Sequence, residues 1–98
     1  MKIDRKLRKK LSRPMFECVQ YKAGNGITPE NIGYDAHISF NRDNELVIYA
    51  GDNKEIFRHS ADELQVYYHQ SLNGINLVYD EDKTVILYYT RVIKAPKG

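Results

Sequence analysis

Three histidines, one cysteine and a run of acidic residues are the side chains from which this chain could assemble a reactive centre. His37, His59 and His69 stand 22 and 10 residues apart, a spacing that matches neither a zinc site nor a pair of histidines with one carboxylate. No serine or cysteine sits in a nucleophile motif. Cys18, between Glu17 and Val19, has no cation or helix start beside it to favour a thiolate, so it is expected in the core. As the single cysteine of the chain it cannot form an internal disulfide. Asp80-Glu81-Asp82 concentrates negative charge but lacks the spaced oxygens and the glycine of a calcium loop, and reads as a solvated turn. Gly24, Gly26 and Gly33 give residues 23–33 the glycine density of a phosphate loop, yet they fit neither GxGxxG nor the P-loop and no lysine with a hydroxyl follows. The expectation is a non-enzymatic protein with no cofactor and no metal.

Charge is distributed more informatively than reactive groups. Residues 1–13 carry Lys2, Arg5, Lys6, Arg8, Lys9, Lys10 and Arg13 against Asp4 alone, a net of +6. Residues 14–93 hold six Lys/Arg and twelve Asp/Glu, a net of −6, and Lys94 with Lys97 adds two positive charges. The overall +2 therefore hides a dipole, a basic arm on an acidic body, and asymmetry of this kind points to an interaction element.

The arm must be held by something. Asp4 is placed to cap a short helix from Arg5 to Ser12, with Ile3, Leu7 and Leu11 at i, i+4 and i+8 as a narrow apolar stripe. Pro14 would end it, because the residue before a proline is driven from the α region. Such a helix can dock its stripe on a sheet and leave its cations in water, contact phosphates, or lie in an acidic groove of a protein partner. The stripe is too thin for a membrane-surface helix.

The body reads as strands. Met15 to Lys22 is a first strand, Phe16 and Cys18 to one side and Val19 and Tyr21 to the other. Residues 23–33 form the main loop, with Thr28-Pro29 as a single capped turn. Ile38 and Phe40, then Leu46, Ile48 and Ala50, alternate with polar or outward residues around an Asn41–Asn44 turn, the pattern of a hairpin. Glu55–His59 follows Gly51-Asp52-Asn53. Leu64, Val66 and Tyr68 alternate with Gln65, Tyr67 and His69, and Asn73-Gly74 suits a type I′ turn. Ser60-Ala61-Asp62-Glu63 resembles a helical capping box and offers a rival helix over residues 61–72; the poor helix propensity of Val66, Tyr67, Tyr68 and His69 favours the strand. Ile75, Leu77 and Tyr79 lead through Asp80–Lys83 to Thr84–Ile93, apolar at odd and even positions from Val85 to Tyr89, as in a central strand covered on both faces.

The fold class predicted is mainly β: a small antiparallel meander of about six to seven strands closing into a barrel or a strongly curved sheet, with a short basic N-terminal helix. The strand succession from Asn44 to Val92 resembles that of pleckstrin-homology-like barrels in pattern, without a motif and without a counterpart of that fold's C-terminal helix, so no family is assigned. Three segments are expected: the arm 1–13, one β-rich domain 14–93 and a tail 94–98. No apolar run approaches the ~20 residues needed to cross a bilayer, and the charged N-terminus lacks the apolar region of a secretory signal; a cytoplasmic setting is the expectation.

If Leu64, Val66 and Tyr68 face inward, Tyr67 and His69 face outward, and Tyr49 and Tyr88 are expected on the same outer surface. Tyrosines there can stack on unpaired bases or serve a protein interface. The acidic body, with Arg42, Arg58, Lys83 and Arg91 as its relevant cations, favours protein. Two functions of different class follow. The first is a non-catalytic protein-interaction module, an inhibitor or assembly factor binding an unidentified protein through an acidic sheet bearing Tyr49, Tyr67, His69 and Tyr88. The alternative is a nucleic-acid-binding accessory protein whose arm contacts phosphates. Either could be a monomer or a homodimer paired through an edge strand such as Glu55–His59 or Met15–Lys22.

Overall fold

The computed structural model describes residues 2–69 and 73–89. One helix, α1 (Arg5–Ser12), precedes seven strands: β1 (Phe16–Lys22), β2 (Glu30–Phe40), β3 (Glu45–Tyr49), β4 (Glu55–Ser60), β5 (Gln65–His69), β6 (Gly74–Tyr79) and β7 (Lys83–Tyr88). The strands form one antiparallel sheet in the order β4-β3-β2-β1-β7-β6-β5. Two meanders, β1 to β4 and β5 to β7, are thus joined by the pairing of β1 with β7.

Local chemistry accounts for the elements. The Leu7 N–H donates to Asp4 Oδ1 at 2.8 Å, a side-chain cap at the helix start. Lys9 and Lys10 occupy the last turn, where cations suit the negative end of the helix dipole. In the β2–β3 turn, Asn41 Oδ1 accepts from the Asp43 and Glu45 N–H groups at 3.0 and 2.9 Å, and Asn44 takes a φ of 61°, which its short polar side chain tolerates.

β2 produces the curvature. Its first part pairs β1 up to Phe16↔Ala36, and its last four residues, His37–Phe40, pair β3. Asp35, at the switch, has a φ of 52°. The edge strand β4 reaches across to the next-to-last strand at the other side through side chains: the rings of Phe57 and His59 on β4 lie 5.5 and 4.5 Å from that of Tyr79 on β6. Of the two expected forms, a barrel or a strongly curved sheet, the barrel is not formed: the strand order is open, from β4 to β5. Among the described residues no ladder joins β4 to β5, so the pleckstrin-homology-like closure does not occur.

One core fills the concave side, including Phe16, Ile38, Leu46, Leu64, Leu77 and Leu87, with Leu7 and Leu11 of α1 in the same cluster. On β7, Val85, Ile86, Leu87 and Tyr88 are all buried, so that strand is covered on both faces as its sequence implies. The central strand, however, is β1, with three strands on either side. β1 is therefore no edge, whereas β4 is one, as expected for Glu55–His59. Residues 65–69 are strand, and Ser60 makes no side-chain cap to the single 3₁₀ turn at Ala61–Glu63 that precedes them.

Smaller expectations are also revised. β2 begins at Glu30, not after Gly33, because Glu30 and Asn31 already pair with Tyr21 and Gln20; no helical turn forms at Thr28-Pro29. Phe16 and Cys18 part company: Phe16, Val19 and Tyr21 belong to the main core, while Cys18 packs with Ile86 and Tyr88 on the convex side. Alternation slips next to Asp35, which lies between the partners of Phe16 and Cys18. Asn73 has a φ of 53° but Gly74 does not take positive φ; Gly74 is needed because a Cβ there would run into the Leu87 carbonyl. The expected continuation of the last strand through Thr90–Ile93 and the tail 94–98 lie outside the described residues.

Candidate functional site

α1 is a cationic ridge fixed to the body. Leu7 and Leu11 point into the core, which forces the remaining positions outward. Lys2, Arg5, Lys6, Lys9, Lys10 and Arg13 are exposed. Arg8, half-buried, is anchored: its guanidinium lies 5.0 Å over the Phe40 ring and donates to Asn44 Oδ1, a cation–π contact that ties the helix to β2 and to the following turn. Among the described residues the ion pairs are Arg58 with Glu45 and Glu55 and Lys83 with Asp80, and His59 Nε2 lies within ion-pair distance of Glu63. None involves the ridge.

Two hollows flank it. His37–Phe40 of β2 have β3 on one side, but β1 starts too late to cover the other. The helix stands there instead and leaves a groove of about 500 Å³ lined by Arg8, Lys9, Ser12, His37, Ser39 and Phe40, with Ile38 at its floor. On the opposite flank, Asp4, Lys6, Leu7, Lys10 and Tyr68 surround a hollow of about 230 Å³. Alternation along β5 predicts an inward Tyr68. Its pairing with Ile75, itself opposite Leu87, does place it on the core side, but it stands 50% exposed beside the helix.

The convex face is organised differently. Residues opposite one another on neighbouring strands share a face, so one row runs Tyr67, Asn76, Ile86, Gln20, Asn31 and the next contains Tyr88, Cys18 and Tyr34. The Tyr88 hydroxyl donates to Gln20 Oε1 at 3.1 Å, Gln20 Nε2 to Asn31 Oδ1 at 2.9 Å, and Asn31 Nδ2 to the Tyr34 hydroxyl at 3.0 Å. The Cys18 thiol lies 3.6 Å from the same Asn31 oxygen. These two rows carry amides, tyrosines, Ile86 and the Cys18 thiol but no carboxylate; Asp43, Asp52 and Asp80–Asp82 lie in turns. Tyr67 and Tyr34 are exposed, but Tyr88 is only 4% exposed, which corrects its expected place on an accessible surface. Burial, followed by the nearby Cys18, raises its phenol's pKa. Tyr49 does not join Tyr67: it is half-buried on β3 and stacks on His37 at 5.5 Å. The side chain of His69 lies outside what is described.

The histidines sit in separate settings, His37 at the groove and His59 against Tyr79. His59 Nε2 and Glu63 Oε1 are 3.2 Å apart; this is ion-pair range, but the angle does not make a hydrogen bond, so Nε2 has no hydrogen-bond partner. Among the described residues no group of three or more His, Cys, Asp or Glu is placed to hold a metal ion, and no helix is long and apolar enough to cross a membrane. Sequence reasoning singled out all seven cations of the arm but missed Tyr68 and the two hollows. The available signal was the doubled tyrosine, Tyr67-Tyr68, in a short strand that turned out to be an edge. Comparison of the chain with protein-family models, with curated proteins and with solved structures finds no match.

Proposed function

We propose that this protein is a non-catalytic nucleic-acid-binding accessory module that holds phosphates on the cationic ridge of α1. One observation carries the reading: six exposed cations, Lys2, Arg5, Lys6, Lys9, Lys10 and Arg13, are gathered on one docked helix and its flanks, with no ion pair to a carboxylate among the described residues. A fixed array loses less freedom on binding than a loose arm, and each phosphate it neutralises releases a counterion.

Fluorescence anisotropy of labelled nucleic acid, titrated with the full chain and with Lys6→Gln/Lys9→Gln/Lys10→Gln, tests the reading. Glutamine keeps the helix propensity of lysine. Removal of residues 1–13 is the wrong perturbation, because it also strips Leu7 and Leu11 from the core. Binding that weakens in the triple variant supports the proposal, and equal binding by both proteins refutes it. A protein partner docking on the convex face is the second reading, favoured by the half-exposed ring of Tyr67 at the sheet edge; Tyr67→Ala would then weaken that partner and leave nucleic acid unaffected.

A further inference from the structure

We propose that the hollow between α1 and β5 is a stacking subsite for an unpaired base, with Tyr68 as its platform, so that the nucleic acid held by α1 is single-stranded. This rests on the reading of the ridge as a phosphate site and adds what that ridge alone cannot specify.

Tyr68 is exceptional for its position. The same side of the sheet around it is closed: Val66, Ile75 and Leu87 are fully buried. Tyr68, paired with Ile75 on the strand that ends the sheet among the described residues, keeps half its surface open, and α1 stops short of covering it. A flat aromatic ring is thereby presented at the wall of a hollow of about 230 Å³. Lys6 and Lys10 line the same hollow. Four residues apart on a helix, they share a face and are separated by about 6 Å along the axis. Asp4 also lines it, but its Oδ1 is occupied by the Leu7 N–H, and two ammonium groups stand against its one charge.

An aromatic face flanked by cations is the arrangement that binds single strands. Every base offers a π-face to the ring, while the adjacent phosphates meet the ammonium groups. A base inside a duplex is already stacked on both sides and would have to leave the helix to reach a recessed ring. The occupant is therefore a single strand, chosen by charge complementarity together with the flat ring. An acidic peptide would satisfy the lysines but has no use for a stacking platform.

The full chain is titrated against labelled oligothymidylate and a duplex of equal length, with polyglutamate as competitor. The variants are Tyr68→Ala, Tyr68→Phe and Tyr68→Trp. The chain contains no tryptophan, so Tyr68→Trp places the single tryptophan at the subsite, where it is excited apart from the tyrosines. The expected result is preference for the single strand, a loss on Tyr68→Ala of roughly 5- to 150-fold, corresponding to ~1–3 kcal/mol per stacked base, retention in Tyr68→Phe, and quenching of the Tyr68→Trp emission by oligothymidylate. Binding of the single strand unchanged in Tyr68→Ala and without quenching in Tyr68→Trp overturns the subsite while the ridge reading stands. Polyglutamate that displaces oligothymidylate charge for charge, or that quenches Tyr68→Trp equally, also overturns it in favour of an acidic peptide. If the wild-type chain binds no nucleic acid at low salt, the ridge reading fails and the subsite with it.

Discussion

Docking of α1 makes the cationic ridge a rigid site, and Leu11→Ala tests that docking directly. Leu11 is 2% exposed and shares the core cluster with Phe16, Val19 and Ile38. Truncation removes buried apolar surface and leaves a cavity beside the sheet, and for a fully buried leucine the loss is ~2–5 kcal/mol. Because the site lies between a helix and a sheet edge, where relaxation is easier than at the centre, the lower half of that range is expected, about 2–3 kcal/mol. Against a total stability of about 5–15 kcal/mol for a domain of this size, the melting temperature should fall by roughly 10 °C or more. Urea unfolding followed by circular dichroism is the assay, with the slope unchanged and the midpoint lowered. Lys10→Gln on the same helix, exposed and without an ion pair among the described residues, should lie within ±0.5 kcal/mol of wild type. A Leu11→Ala loss below about 0.5 kcal/mol would mean that the helix is not packed as described, and the ridge would then be a loose arm.

Other consequences follow from single contacts. Gly74→Ala forces a Cβ against the Leu87 carbonyl and should destabilise by ~1–3 kcal/mol in thermal melts. Asp80 and Glu81 carry φ of 47° and 72° in the β6–β7 turn, a conformation that non-glycine residues adopt at some strain, so Glu81→Gly should stabilise by up to about 1 kcal/mol, and a loss would refute that reading of the turn. Burial, and next the hydrogen bond with Tyr21, push the Tyr79 pKa up to about 12. Since its folded value lies above the ordinary tyrosine value of 10.0, the contribution is fully present below pH ~10 and is lost as pH rises from ~10 towards ~12. Alkaline melts should show this decline reduced in Tyr79→Phe.

Much of the architecture is local enough to be read from the chain. Asp4, the Leu7 and Leu11 spacing and Pro14 define α1 without reference to anything distant; Asn44 suits the positive φ of the β2–β3 turn, and the charged run Asp80–Lys83 breaks the apolar pattern between β6 and β7. The apolar run from Val85 to Tyr88 likewise announces a strand with two covered faces. Strand order is another matter. The contact of β1 with β7 joins residues up to seventy positions apart, Cys18 and Tyr88, and no periodicity encodes it; by its sequence alone β1 suits an edge as well as the centre it occupies. Tyr88 illustrates the effect on the site. Alternation gives it an outward side, but that side is roofed by neighbouring rows, and its hydroxyl is used by Gln20. Tyr68 is the converse, inward by alternation and half-open on a strand that ends the sheet among the described residues. Sequence periodicity reports which side of a sheet a residue faces; exposure depends on which strands and helices arrive there.

The most direct test of the account is the salt dependence of single-stranded nucleic-acid binding by the wild-type chain and by Lys6→Gln/Lys9→Gln/Lys10→Gln. With six ridge cations and a slope of about −0.7 per neutralised phosphate, the logarithm of affinity should fall with the logarithm of salt at a slope of about −3 to −4 in wild type. The triple variant should show about −1 to −2. Equal slopes in the two proteins, or no binding by the wild-type chain at low salt, would contradict a phosphate-holding function for α1.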